Sequence, residues 1–314
     1  MTRFIIRRLA AVIPVLFLVA VFAFFLVHLT PGDPAAYMLG PLATPAQIHH
    51  LQEVLKLDVP LPIQFERWLL DALRGDLGES LFMSIPVPLA IWQRAEPTLL
   101  LTLMAVAVEI LVGVTAGVVA ATRRNTWVDQ AAIAFTALGL SIPSFWFGLN
   151  LIFFFGVYLR WLPVAGYVPL SVSWIGAVKS LLMPACALGL ISSALVARMT
   201  RSSMLEVLSQ DFVRTARAKG VAERRVTWHH ALRNALLPVI TVIGNSFAIL
   251  LGGLVVTEQV FAIPGVGLLV INAVLHRDYP VIQGVLLYIV MLYVFINVGI
   301  DIIYALVDPR IKFG

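Results

Sequence analysis

Charge is scarce in this chain. Asp, Glu, Lys and Arg make up 12% of its 314 residues, where a soluble domain carries about 25%. So little charge cannot cover a water-facing globule, which excludes an ordinary soluble enzyme or binding domain. Cysteine is nearly absent too. The one thiol, Cys186, lies inside an apolar run. It excludes a disulfide within the chain and reads as a small interior residue. No Gly-x4-Gly-Lys-Ser/Thr occurs, so no phosphate-binding loop is encoded. No His-Glu-x-x-His occurs either, and His229-His230 are adjacent rather than one helical turn apart, so they make no zinc face. No nucleophile and base stand at a spacing that would suit an intramembrane enzyme.

Apolar sequence fills the chain instead. Hydrophobic residues make up 60%, and six stretches approach the roughly 20 residues a membrane helix needs. They are 9–29, 99–121, 132–158, 181–200, 236–256 and 283–307. The fold class expected is therefore an all-α membrane protein with six transmembrane helices. The first stretch follows Arg3, Arg7 and Arg8, as a signal peptide would. It is longer than the about 7–15 residues of a signal core and no small-x-small site follows, so it reads as a retained span. Pro143 is expected to kink the third stretch, and Pro184 and Pro238 fall near the ends of the fourth and fifth.

The distribution of Lys and Arg gives an orientation. With both termini cytoplasmic, 15 of the 22 basic residues fall on the inside segments. Seven fall outside: Lys56, Arg67, Arg74, Arg94, Arg160, Lys179 and Arg277. That is the positive-inside pattern, and the net charge of +5 needs no nucleic acid to explain it.

Two segments lie off the spans. In residues 30–97, Thr44-Pro45-Ala46-Gln47 reads as a helix start, with Thr as N-cap and Gln reaching back. A second helix is expected over about 62–74, with Phe65, Trp68, Leu69 and Leu73 on one face and Gly75 as its stop. Both read as amphipathic pieces on the membrane surface or capping the bundle. The other segment, about 201–235, is the most charged. Ser203 to Glu206 fits a capping box. Leu205, Leu208, Phe212 and Ala216 follow at helical spacing, and Gly220 is placed to end the helix. A second helix over 222–234 then leads into the fifth span. Ala216, Ala218 and Gly220 would allow close approach by another protein.

Few ionisable groups fall within the spans: Glu109 near the middle of the second, Asp301 in the sixth and His28 at the end of the first. Such groups are functional candidates by default. Glu109 can pair with another helix or stand on a path through the bundle. Asp301 is a candidate partner for a basic loop residue such as Arg124. Gly113-x-x-x-Gly117 sets two glycines on one helix face for close packing.

The stretch Asp211-Phe-Val-Arg-Thr-Ala-Arg-Ala-Lys-Gly220 resembles the cytoplasmic loop of ABC importer permeases, in the form of the dipeptide/oligopeptide branch. So does His230-Ala-Leu-Arg-Asn-Ala-Leu-Leu-Pro238. Further matching pieces follow in order: Arg3-Phe-Ile-Ile-Arg-Arg8, Pro31-Gly-Asp-Pro34, Gly75-Asp-Leu-Gly-Glu-Ser80, Ser141-Ile-Pro-Ser-Phe-Trp146, Trp161-Leu-Pro, Phe261-Ala-Ile-Pro-Gly-Val-Gly267, Arg277-Asp-Tyr-Pro280 and Asp308-Pro-Arg310. Where the general motif has Glu-Ala-Ala, this chain has Arg214-Thr215-Ala216. Where it has Leu-Pro, this chain has Leu232-Arg233, and Leu237-Pro238 comes five residues later.

The resemblance implies a type I ABC importer permease fold in the first-permease subunit. Residues 1–94 would hold the first span and a periplasmic helical segment, and residues 95–314 a five-span domain with the coupling loop. It implies an inner-membrane location. The partners implied are a second permease, two ATP-binding subunits and an extracytoplasmic binding protein. ATP and magnesium would be bound by the partners, and no cofactor by this chain. The coupling loop that docks on the ATPase would be Phe212, Arg214, Thr215, Ala216, Arg217, Ala218, Lys219 and Gly220. Candidate path residues are Glu109, Asn150, Asn245 and Ser246. Candidate contacts to the binding protein are Glu258, Pro264 and Gly265. Importers of nickel, glutathione or oligosaccharides share these motifs, so the substrate stays open among them and peptides. An ion-coupled secondary transporter is the reading from another class, and no clear repeat relates the first three spans to the last three.

Overall fold

The computed structural model describes residues 2–29, 43–54 and 59–307, with side chains at 12–26, 43–50, 52–53 and 59–300. The motifs Pro31–Pro34 and Asp308–Arg310 and the side chains of His28 and Asp301 lie outside the described residues. The helices are α1 (Thr2–Leu29), α2 (Pro45–Val54), α3 (Leu61–Leu73), α4 (Val87–Thr122), α5 (Trp127–Ser141), α6 (Ser144–Leu151), α7 (Trp174–Leu208), α8 (Asp211–Ala218), α9 (Leu232–Val260), α10 (Val266–Leu275) and α11 (Tyr279–Val307). The chain divides into two compact units, Met1–Ala95 with Leu269–Val294 and Glu96–Leu268 with Phe295–Gly314.

Among the described residues, α4, α7, the helix through α9 and α11 are long and apolar enough to cross a membrane, and α5 with α6 supplies a further, broken span. The described part of α1, Val12–Leu26, is apolar but shorter. The third span is broken rather than kinked. Its halves meet at 104°. Ile142, before Pro143, takes an extended backbone with φ −91 and ψ 125, because the proline ring disfavours the helical conformation in the residue ahead of it. Pro184 and Pro238 sit inside continuous helices. Two π-helical turns, Ile152–Tyr158 and Val226–Ala231, lead out of α6 and into α9.

In the first unit, the expected capping box forms. Thr44 N donates to Gln47 Oε1 at 2.9 Å and Gln47 N to Thr44 Oγ1 at 3.4 Å. Helix α3 starts with Pro62 in its first turn and stops at Gly75, whose φ is +87. Its aromatic face packs on α1, with Phe65 5.3 Å and Trp68 5.9 Å from Phe24, ring centre to ring centre. Leu73, expected on that face, is exposed.

In the second unit, α7 is central. Two-thirds of its most apolar window is buried, against a third or less in the other long spans. Helices α5, α6 and α9 pack on it, and α4 lies against it through glycines. A Cβ at Gly113 would stand 2.7 Å from Val196 Cβ and 2.9 Å from Ser193 O, and one at Gly117 2.5 Å from Thr200 Cβ and 2.7 Å from Ala197 O. The outward sides of α4 and α9 carry large residues, with Leu103, Leu111 and Ile249 63–69% exposed. Small residues inside and leucine outside are what a lipid surround selects, because close backbone contact holds the helices together where no water drives them.

Gly113→Val should therefore cost about 1–3 kcal/mol of stability, because it pushes α4 off the backbone of α7. Gly252→Ala, where a Cβ meets nothing within 4 Å, should be neutral or stabilise by up to about 1 kcal/mol. Thermal unfolding in detergent measures both.

Candidate functional site

The charged segment 201–235 forms the expected helix, turn at Gly220 and second helix from Glu223, but its first helix starts later than expected. Ser203 lies inside α7, which runs on to Leu208, so its capping box is not used. A helix that already runs from Trp174 needs no new start there. The break falls at Ser209–Gln210, and α8 begins at Asp211, whose acidic side chain suits a helix N-terminus. Leu205 and Leu208 therefore belong to one helix, Phe212 and Ala216 to the next.

Helix α8 is held by a single buried side chain. Val213 is fully enclosed in a cluster with Val118, Met204, Val207, Val226 and Ala235, and Ala216, one turn on, packs against the same cluster. Ala216, expected to allow close approach by another protein, is thus half-buried against the protein's own cluster. Phe212, Arg214, Thr215, Arg217, Ala218, Lys219 and Gly220 are all exposed. A large ring 40% exposed beside cations, as at Phe212, is an uncovered anchor.

The helix ends in a Schellman turn. Val221 N donates to Ala216 O and Gly220 N to Arg217 O. Gly220 has φ +76 and an open Cβ direction, so its requirement is conformational only. Arg217 then clamps the turn with a two-pronged bond to Glu223, at 3.0 and 2.6 Å. That bond holds its guanidinium above the usual range.

Glu258 stands elsewhere than expected. It is fully buried near the end of α9. Its Oε1 accepts from Thr98 Oγ1 at 2.6 Å and its Oε2 from Leu268 N at 2.9 Å, while Thr98 Oγ1 accepts from Val266 N at 2.8 Å. Glu258 directly, and Thr98 as its relay, thus satisfy two of the free N–H groups at the start of α10. A Cβ on Gly265 or Gly267 would overlap that carboxylate, which is why the turn reads Pro264-Gly265-Val266-Gly267. Glu258 and Gly265 are therefore interior, and of the three expected contacts only Pro264 is exposed. Nearby, Gly166 N donates to Phe261 O at 2.8 Å. Tyr167 donates to Glu96 at 2.5 Å. Burial, then the Glu96 carboxylate, pushes the Tyr167 phenol up.

The first unit has a second buried carboxylate of this kind. Asp278 accepts from Ser80 Oγ at 2.5 Å, Leu81 N at 3.1 Å and Phe82 N at 3.3 Å. It ties the motif ending at Ser80 to the one starting at Arg277. In the second unit Asp129, 2% exposed, takes Arg201 through Nε at 2.6 Å and Nη2 at 2.9 Å. None of these three partnerships was read from the sequence. Ser80 and Asp278 inside the quoted motifs, and Glu258 three residues before Phe261-Ala-Ile-Pro-Gly-Val-Gly267, were the available signal.

The four candidate path residues divide. Glu109 is fully buried with Ser246 as its polar neighbour, and Ser246 is buried too. Ser246 gives its hydroxyl to Ile243 O at 2.8 Å, and among the described residues neither Glu109 oxygen has a donor in hydrogen-bonding geometry. Glu109 and Ser246 are thus both enclosed within the second unit. Asn150 and Asn245 are exposed.

Residues 113–313 match the family model described as "Binding-protein-dependent transport system inner membrane component", and residues 1–86 match its N-terminal companion. The chain belongs to this family. It is 46% identical over 310 residues to a "probable peptide ABC transporter permease protein" of Sinorhizobium fredii, covering 99% of both chains. It is 42% identical over 313 residues to the "Glutathione transport system permease protein GsiC" of an Escherichia coli strain, covering all of both. A chain of the inward-facing MetNI methionine ABC transporter superposes with a TM-score of 0.56 at 19% identity, over 70% of this chain and 96% of that one. The fold is thus the type I ABC importer permease fold, and the protein is a multi-pass inner-membrane permease subunit of an ABC importer, not itself the catalytic component.

In the permease, Glu258→Ala leaves two buried donors without an acceptor and should cost about 2–3 kcal/mol. Thr98→Ala should cost about 1 kcal/mol, and the double variant no more than Glu258→Ala alone, because the two act as one network. A double-mutant cycle by thermal unfolding checks the non-additivity.

Proposed function

We propose that this permease forms half of an import path for di- and oligopeptides, driven by ATP hydrolysed on separate subunits. The observation that carries the substrate class is the 46% identity, over essentially all of both chains, to a relative named as a peptide permease. The relative named for glutathione, at 42%, supports the same class, since glutathione is itself a small peptide. The second half of the path comes from a homologous permease in a heterodimer. Two ATP-binding subunits, which bind the ATP and magnesium, dock on the exposed side of α8. An extracytoplasmic binding protein delivers substrate to the face that includes Pro264. Both termini and α8 lie in the cytoplasm, as the distribution of basic residues supports.

The mechanism follows from how α8 is mounted. Its buried Val213 packs on the end of α7 and the start of α9, and the Arg217–Glu223 clamp fixes the turn that leads toward α9. A push on its exposed face reaches the spans as a lever, without passing through a flexible linker. Asn150 and Asn245 supply sparse, unspecific polar lining, which suits peptides of varied side chains and leaves selection to the binding protein. A tripeptide with any side chains needs only its backbone groups satisfied.

Reconstitution with the companion subunits tests the reading. Labelled tripeptide should enter proteoliposomes only with ATP and the binding protein present. Phe212→Ala and Arg214→Glu should reduce both co-purifying ATPase and uptake about 10-fold or more, with unchanged thermal stability. Uptake without ATP, or normal uptake by both variants, would contradict the proposal.

A further inference from the structure

A groove of about 210 Å³ opens between the ends of α4, α5 and α7. Its walls are apolar, formed by Ala116, Ala120, Ala132 and Ile133, and Arg198 and Arg201 stand at its side. Arg201 is fixed by Asp129 through Nε and Nη2, which leaves its Nη1 edge unused by that pair. Arg198 and Arg124 are exposed and form no ion pair among the described residues. Arg124 is close enough for its charge to act on Asp129. Arg201 and Arg124 thus act on one carboxylate and Arg198 lines the groove beside Arg201, so these four groups carry a net charge of about plus two. Trp127, 80% exposed at the start of α5, is the amphipathic residue type that settles where hydrocarbon meets headgroups.

We infer that this groove is a binding site for an anionic phospholipid, with an acyl chain along the alanine walls and the phosphate held by Arg198, Arg124 and the free edge of Arg201. A soluble anion has no use for the apolar walls, and a neutral lipid leaves the cations uncompensated. Basic pockets between membrane helices select acidic headgroups for this reason. Asp129 serves as the positioning residue. By locking Arg201, it keeps one cation at the groove instead of letting it swing into water. The pairing also ties α5 to α7, so an occupied groove stiffens the contact between the first half of the broken third span and the central helix. The inference concerns helix ends and does not depend on the substrate proposed above.

The test uses the whole transporter complex, delipidated in detergent and titrated in native mass spectrometry with phosphatidylglycerol or with phosphatidylcholine of the same acyl chains. Phosphatidylglycerol should be retained preferentially. Arg198→Ala and Arg124→Ala should each weaken its retention about 5-fold, leave phosphatidylcholine unchanged, and leave the Arg201–Asp129 pair and the fold intact. Ala132→Phe, which fills the groove and keeps every arginine, should abolish the preference as well. Equal retention of the two lipids by the wild type would overturn the inference. So would unchanged phosphatidylglycerol binding in the double arginine variant, or full displacement by an equal concentration of inorganic phosphate. A groove covered by a helix of the partner permease would show itself as equal retention of both lipids.

Discussion

The approach of α4 to α7, where Gly113 and Gly117 leave no room for a Cβ, is the contact on which the second unit depends. In a surround as apolar as its interior, the chain cannot sort its helices by burying grease. Backbone proximity does the sorting, and α7 is the surface on which it happens, with α5, α6 and α9 packed around it. Once α7 is fixed, the ends of the other helices follow. Its last turn supplies Met204 and Val207 to the small cluster that seats Val213 of α8. Helix α8, with its exposed outer side, is thus bolted to the most buried helix of the unit.

Buried carboxylates make the remaining decisions. Glu258 caps the start of α10, Asp278 gathers the segment Ser80–Phe82, and Asp129 holds Arg201. Each is enclosed, and each satisfies several donors at once, which is the condition under which a buried acid helps rather than harms. Three motifs that look like loop signatures are in this light mutual contacts. A Pro-Gly turn with a second glycine two residues on exists because a carboxylate fills the space where side chains would be.

Much of this was legible from the sequence, for physical reasons. The apolar stretches placed the long helices, and the capping box at Thr44 and the stops at Gly75 and Gly220 formed as their local chemistry dictates. Motif order identified the family before any geometry. The errors have physical causes too. Pro143 breaks its span because the residue before a proline leaves the helical region, a local effect whose size depends on what the neighbours allow. Pro184 and Pro238, the same residue in other surroundings, interrupt nothing. Ser203 had the right letters for a helix start, but α7 passed through it. Ala216 and Glu258 were read as outward because spacing alone does not say which side of a short helix or turn meets the core. Partners 72 residues apart, as Asp129 and Arg201 are, leave no periodic trace.

The central claim is that the exposed side of α8, and not its inner side, meets the ATP-hydrolysing partner. Single cysteines at Arg214 and at Ala216, in a Cys186→Ala background, test it directly by cross-linking within the assembled transporter. The account predicts a cross-link from position 214 to the ATPase subunit whose yield changes with ATP, and none from position 216. Cross-linking from 216 but not 214, or from neither, would contradict it.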